Sequence, residues 1–309
     1  MRASGLTTAR AWEQSDLPDV ATVRAGVRAL ATTYTSPVSA ALIETLPRLE
    51  IISVFGVGYD SIDLRAAAAR GIVVTNTPDV LTEEVADATL GLLLCTVREL
   101  PQAERFVRDG RWMNGPYPLT SSLREKKVGI FGLGRIGKAV ANRCEAFGLS
   151  IAYHGRKPQD VPYRYHGTLV DLARDVDILI VTAPATPDTR GAVDTGVLAA
   201  LGPEGVLINV ARGSIVDEPA LIHALSSRTI YAAGLDVFAT EPHVPDALLA
   251  LDRVVVLPHV GSASRATRNA MGLLVAENLI SWFAGNGPVT PVAETPARGV
   301  RFRAIGNEG

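Results

Sequence analysis

Three charged residues stand just past three short apolar runs in the C-terminal half of the chain. Arg212 follows Leu207-Ile208-Asn209-Val210-Ala211, and Glu241 comes shortly after Leu235-Asp236-Val237-Phe238. His259 follows Val255-Val256-Leu257-Pro258. A guanidinium, a carboxylate and an imidazole brought to one edge can bind an anionic substrate, tune a protonation state and move a proton. Each also has a plainer reading: a solvated arginine, a Glu-Pro turn, a loop histidine. The remaining histidines, His154, His166, His223 and His243, have no comparable setting. No His/Cys/Asp cluster has metal-ligand spacing, so no metal is expected.

A second constellation lies upstream, in Gly132-Leu133-Gly134-Arg135-Ile136-Gly137. Alone, a G-x-G-x-x-G run is an ordinary tight turn. Here the apolar run Val128–Phe131 precedes it, a helix pattern carrying Ile136, Val140 and Cys144 on one face follows, and Ser150–Tyr153 reads as a second strand. That context is what a dinucleotide fingerprint requires. Gly132 permits the turn, Gly134 lets the backbone approach a pyrophosphate, and Gly137 lets the helix pack closely on the strand. The helix start supplies N–H groups and a positive dipole end for phosphate.

An NAD site usually places an acid at the end of that second strand, to bind the ribose hydroxyls. This chain has His154-Gly155-Arg156-Lys157 instead. Arg156 can hold a 2′-phosphate through its planar fork, so NADP(H) is favoured and NAD(H) remains possible. The alternative is a solvated basic turn.

The elements that must position these residues alternate strand and helix. Strands are expected over 27–33, 50–55 and 72–75, and a less distinct one over 7–12. Helices are expected over 40–46, 64–70 and 82–99, followed by a polar helix over 102–108. Later strands are expected over 178–182, 206–209, 232–236 and 254–257, then a long helix over 263–284 and a frayed end from 294. Such alternation implies α/β architecture with parallel sheets. The predicted boundaries are a first domain of residues 1–99 and 285–309, the substrate domain in the resemblance given below, and an inserted dinucleotide-binding domain of residues 100–284.

The chain has 309 residues, 47% hydrophobic and 20% charged, with a net charge of −2. Two domains with substantial cores are therefore expected, with no global attraction to nucleic acid or acidic membranes. Cys95 and Cys144 sit in apolar helical patterns and read as core thiols. The apolar stretch Ala88–Val97 is too short to span a bilayer, and no secretory pattern opens the chain, so a cytoplasmic enzyme is expected.

The segments GLGRIG, NVARGSIVDE, GLDVFATEP and LPHVGSAS, in that order, resemble the D-isomer-specific 2-hydroxyacid dehydrogenase family. VFGVGYDSID and NTPDVLTEEVADATLGLLL resemble its substrate-domain motifs, so the likeness runs over roughly residues 25–292. Within the family, the chain looks most like the NADPH-preferring hydroxypyruvate/glyoxylate and hydroxyphenylpyruvate reductases. The resemblance implies two Rossmann-like domains, a flavodoxin-like substrate domain and an inserted dinucleotide-binding domain. It implies reduction of a 2-oxo acid to the D-2-hydroxy acid, with His259 as proton donor. Glu241 would hydrogen-bond His259 and stabilise its imidazolium. Arg212 would hold the substrate and polarise its carbonyl, and the backbone of Val57 and Gly58 would receive the carboxylate. Leu133, Gly134, Arg135 and Ile136 would wrap the pyrophosphate, while Gly155, Arg156 and Lys157 would hold the ribose phosphate. Thr182, Val210 and Asp236 would line the rest, with Asp236 near the nicotinamide amide.

The family also implies a homodimer built on the helices near 82–112, where Leu92, Leu93, Leu94, Val97, Phe106 and Trp112 read as excess apolar surface. Only about ten residues precede the stretch matching Ala11-Trp12-Glu13, which suggests a missing first βα unit. Two rival readings accompany the reductase: a dinucleotide-sensing protein like the family's co-repressors, and an NAD-dependent formate or phosphite dehydrogenase.

Overall fold

In the computed structural model of the protein, residues 6–8 and 24–295 are described. Their contacts divide into two compact units, Met1–Leu81 with Arg265–Gly309, and Thr82–Ser264. Most of the strand expected over 7–12, the suspected truncation around 11–13 and most of the tail from 294 lie outside the described residues.

The first unit holds a parallel sheet of order β1-β2-β3, with β1 Ala29–Thr33, β2 Ile51–Phe55 and β3 Val73–Thr75. Successive side chains of a strand point to opposite faces. Ile52 and Val54 accordingly join Val38, Ile43 and Val74 on one face. Ile51 and Val73 meet Leu279 on the other. Between β2 and β3, the fully buried Thr75 hydroxyl donates to Ser53 Oγ at 2.9 Å, and the two residues are register partners. Helix Leu64–Ala69 begins where the Asp63 carboxylate accepts the Ala66 N–H at 2.9 Å.

Helix Arg265–Phe283 contributes Asn278, whose side chain is fully buried and fully used. Its Nδ2 donates to Leu274 O and Thr290 Oγ1, both at 2.9 Å. Its Oδ1 accepts the N–H groups of Val289 and Thr290 at 3.0 and 2.9 Å. The Thr290 hydroxyl passes the contact on to Asn76 O at 2.6 Å.

The second unit is a seven-stranded, all-parallel sheet of order β10-β9-β8-β7-β4-β5-β6. Its strands are β4 Lys127–Phe131, β5 Ser150–His154, β6 Arg164–His166, β7 Ile178–Val181, β8 Val206–Asn209, β9 Ala232–Leu235 and β10 Val254–Val256. Strand order reverses between β4 and β7, the crevice where doubly wound sheets bind ligands. Both faces are covered, so the strands read as continuous apolar runs. Val128, Ile130, Ile178, Ile180 and Ile208 pack under helices Thr82–Val97 and Arg135–Ala146. Phe131, Leu179, Val181, Leu207 and Leu235 pack on the other face. Gly234 lets helix Thr82–Val97 lie close on the sheet, since a Cβ there would fall 2.4 Å from Thr96 Oγ1.

Three features differ from the sequence reading. The division between units falls one helix earlier at each crossing than 99/100 and 284/285. Helix Thr82–Val97 packs on β9 and helix Arg135–Ala146, and helix Arg265–Phe283 packs on β2. Strand β6 and the helices Leu169–Asp175, Thr195–Leu201, Glu218–Ser226 and Asp246–Leu249 are additional. The first three of these helices start at side-chain caps Thr168, Asp194 and Asp217, a signal the sequence carries. Finally, Leu92, Leu93, Val97 and Phe106 are buried within the second unit and do not form an exposed surface. The exposed apolar side chains of that region are Leu100, Val107, Trp112, Met113 and Leu119.

Asn278→Leu leaves the Val289 and Thr290 N–H groups without their acceptor inside the unit. Each such loss costs about 1–3 kcal/mol. Urea denaturation of the variant is expected to show a loss of about 2–5 kcal/mol, and a loss below about 1 kcal/mol would contradict this account.

Candidate active site

The glycine run caps β4 and opens helix Arg135–Ala146. Gly132 has φ of 100°, and a Cβ there would sit 2.5 Å from the Ala183 backbone. A Cβ on Gly137 would lie 2.4 Å from Gly132 O, so the helix start packs directly on the turn. A Cβ on Gly134 would meet nothing within 4 Å, which leaves the backbone there open to approach. Residues on both flanking strand ends hold the turn. Gly132 N–H donates to His154 O at 2.9 Å, and Thr182 Oγ1 donates to Gly132 O at 2.8 Å. An open glycine backbone at the start of a 12-residue helix, placed at the strand-order reversal, fits a pyrophosphate.

Past β5, Arg156 and Lys157 are exposed and Gly155 is partly so. A Cβ on Gly155 would meet nothing within 4 Å. The loop is tied at three points. Tyr165 Oη donates to Gly155 O at 3.2 Å, Gln159 N–H donates to Tyr153 Oη at 2.7 Å, and Gln159 Nε2 donates to Leu133 O at 2.8 Å. The last bond links the cationic loop to the glycine run. No carboxylate lies between His154 and Lys157.

Arg212, Glu241 and His259 project from loops past β8, β9 and β10. Asn209, at the end of β8, shapes the first loop: its Oδ1 accepts Ala211 N–H at 3.1 Å and its Nδ2 donates to Arg212 O at 3.0 Å. Gly213 packs against the second loop so tightly that a Cβ would fall 1.9 Å from the Phe238 carbonyl carbon. Glu218 Oε1, at the start of helix Glu218–Ser226, accepts Ala239 N–H at 2.7 Å and ties the second loop to that helix. Glu241 Oε1 accepts Phe238 N–H at 3.1 Å, and its Oε2 lies 2.8 Å from His259 Nδ1. Both side chains are about four-fifths buried, at 20% and 18% exposure.

A carboxylate can only accept, so Nδ1 carries the proton of this bond. Burial pushes the Glu241 carboxyl up. The His259 hydrogen bond and charge, the Phe238 N–H and Arg212 together outweigh it, holding the group below its ordinary value.

Asp236 is 2% exposed. Its carboxylate accepts Val260 N–H at 2.7 Å and Gly261 N–H at 2.8 Å, and its backbone carbonyl accepts His259 N–H at 2.9 Å. Burial raises its pKa above the ordinary value, and the two amide bonds offset this in part. Val210 lies at the end of β8, with its N–H 3.4 Å from Val181 O.

In the first unit, Val57 and Gly58 follow β2 in a loop held by Asn76 and Thr77. Sequence reasoning passed over Asn76, Asn209, Gly213 and Gln159. Asn209 was visible as a polar residue closing an apolar run, and Gly213 as a glycine directly after Arg212.

The doubly wound sheet and its glycine run are those of a dinucleotide-dependent oxidoreductase, with an imidazole–carboxylate pair past the strand ends. Residues 90–261 match the D-isomer specific 2-hydroxyacid dehydrogenase NAD binding domain, and the chain belongs to that family. It is 51% identical to a glyoxylate/hydroxypyruvate reductase of Arabidopsis thaliana, over 88% of this chain and 87% of that one. It is 46% identical to a hydroxyphenylpyruvate reductase of Plectranthus scutellarioides, over 92% and 91%. Among solved structures, an NADPH-dependent glyoxylate/hydroxypyruvate reductase of Sinorhizobium meliloti, in complex with NADP and malonate, has a TM-score of 0.87. The two share 54% identity, covering 98% of this chain and 90% of that one.

A carboxyl whose pKa is lowered on folding lends stability that is complete above its unfolded value and lost as pH falls through the folded one. Glu241→Gln is therefore expected to cost about 1–3 kcal/mol at pH 7, with the gap to the parent narrowing below the ordinary value of 4.5. Urea denaturation at pH 7 and pH 4 checks this; a gap that widens in acid would contradict it.

Proposed function

We propose that the protein reduces a small 2-oxo acid (glyoxylate, hydroxypyruvate or an aryl-pyruvate) to the D-2-hydroxy acid with NADPH. The observation that carries this is the 2.8 Å His259–Glu241 pair at the strand ends of a dinucleotide-binding sheet. The relatives' activities support the substrate class.

A bound nicotinamide supplies the hydride. His259 gives its Nε2 proton to the substrate carbonyl oxygen, while Nδ1 stays on Glu241. The Glu241 carboxylate stabilises the imidazolium before transfer and orients the ring throughout. Arg212 holds the 2-oxo-carboxylate and polarises its carbonyl. The backbone of Val57 and Gly58 receives the carboxylate. The glycine run, with Leu133, Arg135 and Ile136, holds the pyrophosphate. Gly155, Arg156 and Lys157 hold the ribose 2′-phosphate, and Thr182, Val210 and Asp236 line the remainder.

Oxidation of NADPH by glyoxylate, hydroxypyruvate and hydroxyphenylpyruvate tests the reading. His259→Gln is expected to bind NADPH as the parent does and to lose about 10²–10⁴-fold in turnover. Turnover within twofold of the parent would remove His259 from the mechanism. For the parent, kcat/KM with NADPH should exceed that with NADH by about tenfold or more, since charge-assisted bonds to a phosphate are strong. Gly155→Asp with Arg156→Ala should reverse the order. A parent enzyme that prefers NADH would overturn the cofactor assignment.

The protein is further proposed to be a homodimer, through the segment bearing Leu100, Val107, Trp112, Met113 and Leu119. Trp112 is 66% and Met113 90% exposed, a concentration of apolar surface that favours an interface. Light scattering at micromolar concentration should give twice the chain mass of 32.7 kDa, and a monomer mass would overturn this.

A further inference from the structure

The loop past β2 has a fixed peptide orientation whose cause lies in the residues past β3. Thr77 N–H donates to Gly56 O at 2.9 Å, and Gly56 N–H donates to Thr77 Oγ1 at 3.1 Å. Asn76 Nδ2 donates to Val57 O at 2.8 Å. The carbonyls of two successive peptides are thus both drawn toward the 76–77 segment. The 56–57 and 57–58 bonds are trans, since the one cis bond among the described residues is Glu241–Pro242. In a planar trans peptide the C=O of one residue and the N–H of the next point in opposite directions. The N–H groups of Val57 and Gly58 are therefore turned together to the side away from Asn76 and Thr77. No acceptor among the described residues takes either of them. Paired amides of this kind form a concavity suited to an anion.

Asn76 is itself held. It is 9% exposed, its N–H donates to Thr290 O at 3.2 Å, and its carbonyl accepts the Thr290 hydroxyl. Thr290 is in turn fixed by the buried Asn278. The main chain of Asn76 is thus anchored through Thr290 from the long helix, and its side-chain amide donates to one atom, Val57 O.

We propose that Asn76 is a positioning residue for substrate. By holding the Val57 carbonyl, it keeps the Gly58 N–H, and with Thr77 the Val57 N–H, presented to the carboxylate of the 2-oxo acid. This rests on the reading that Val57 and Gly58 receive that carboxylate. Asn76→Ala removes the tether and lets the 57–58 peptide rotate. Asn76→Asp does more, because a carboxylate placed opposite the Val57 carbonyl repels it and favours the flipped peptide.

The test measures KM and kcat for glyoxylate, the dissociation constant of oxamate as a non-reducible analogue, the NADPH dissociation constant, and Tm. Both variants are expected to raise KM and the oxamate constant about tenfold or more, Asp more than Ala. NADPH binding should stay at the parent level and kcat should change much less than KM. KM unchanged in both variants, or KM, NADPH binding and Tm worsening together as in general loosening, would overturn the proposal. Gly58→Pro, which deletes the amide itself, separates the two levels. If it raises KM while the Asn76 variants do not, the carboxylate site stands and the role of Asn76 falls. If it too leaves KM unchanged, the carboxylate site falls and the proposal with it.

Discussion

His259 sits at φ of 53°, in the left-handed region that few non-glycine residues occupy. What keeps it there is one aspartate. Asp236 closes β9, and its carbonyl and both carboxylate oxygens take the N–H groups of His259, Val260 and Gly261 in turn. Gly261 has no side chain to obstruct the carboxylate, and a Cβ there would press on Oδ2 at 3.0 Å. With the backbone held by β9, the ring meets a carboxylate from the following loop, Glu241. The pairing depends on neighbouring parallel strands ending together, so the order of the sheet and the orientation of the ring are one constraint. Strain of this size, about 1–3 kcal/mol, persists only where the surroundings over-determine it.

The α/β class and most strands were legible because buried parallel strands leave continuous apolar runs, as in Ile178–Val181 and Val206–Asn209. The short crossover helices were not, since seven to nine residues carry too few turns for a period to emerge. Periodicity also could not separate two uses of apolar surface. Leu92 and Leu93 look no different in sequence from Val107 and Trp112. The first pair faces its own sheet and the second faces outward, a distinction set by tertiary packing.

In the site, Arg212, Glu241 and His259 could be picked out because charges directly past apolar runs are conspicuous. The residues that orient them were quieter. Asp236 drew notice as part of a motif, yet its hold on residues 260 and 261 is a contact 24 positions away that no local pattern announces. Gln159 likewise reaches back 26 positions to Leu133. Hydrogen bonds between loops of neighbouring strands are fixed by strand order, and strand order was the part of the topology that spacing alone left open.

The hydroxyl pair between Ser53 and Thr75 lies fully buried in the interior of a small sheet. It works there as an alignment key. Were β3 to slide along β2, two hydroxyls would lose each other among isoleucines and valines, and each orphaned group would cost free energy. Strands advance about 3.3 Å per residue, so a slip of even one position exceeds a hydrogen bond's tolerance. Gly56 and Thr77 lie three and two residues beyond the keyed pair, and they face each other because the key holds. Two small polar groups in the core thereby calibrate a ruler, and the loops are read off its far end.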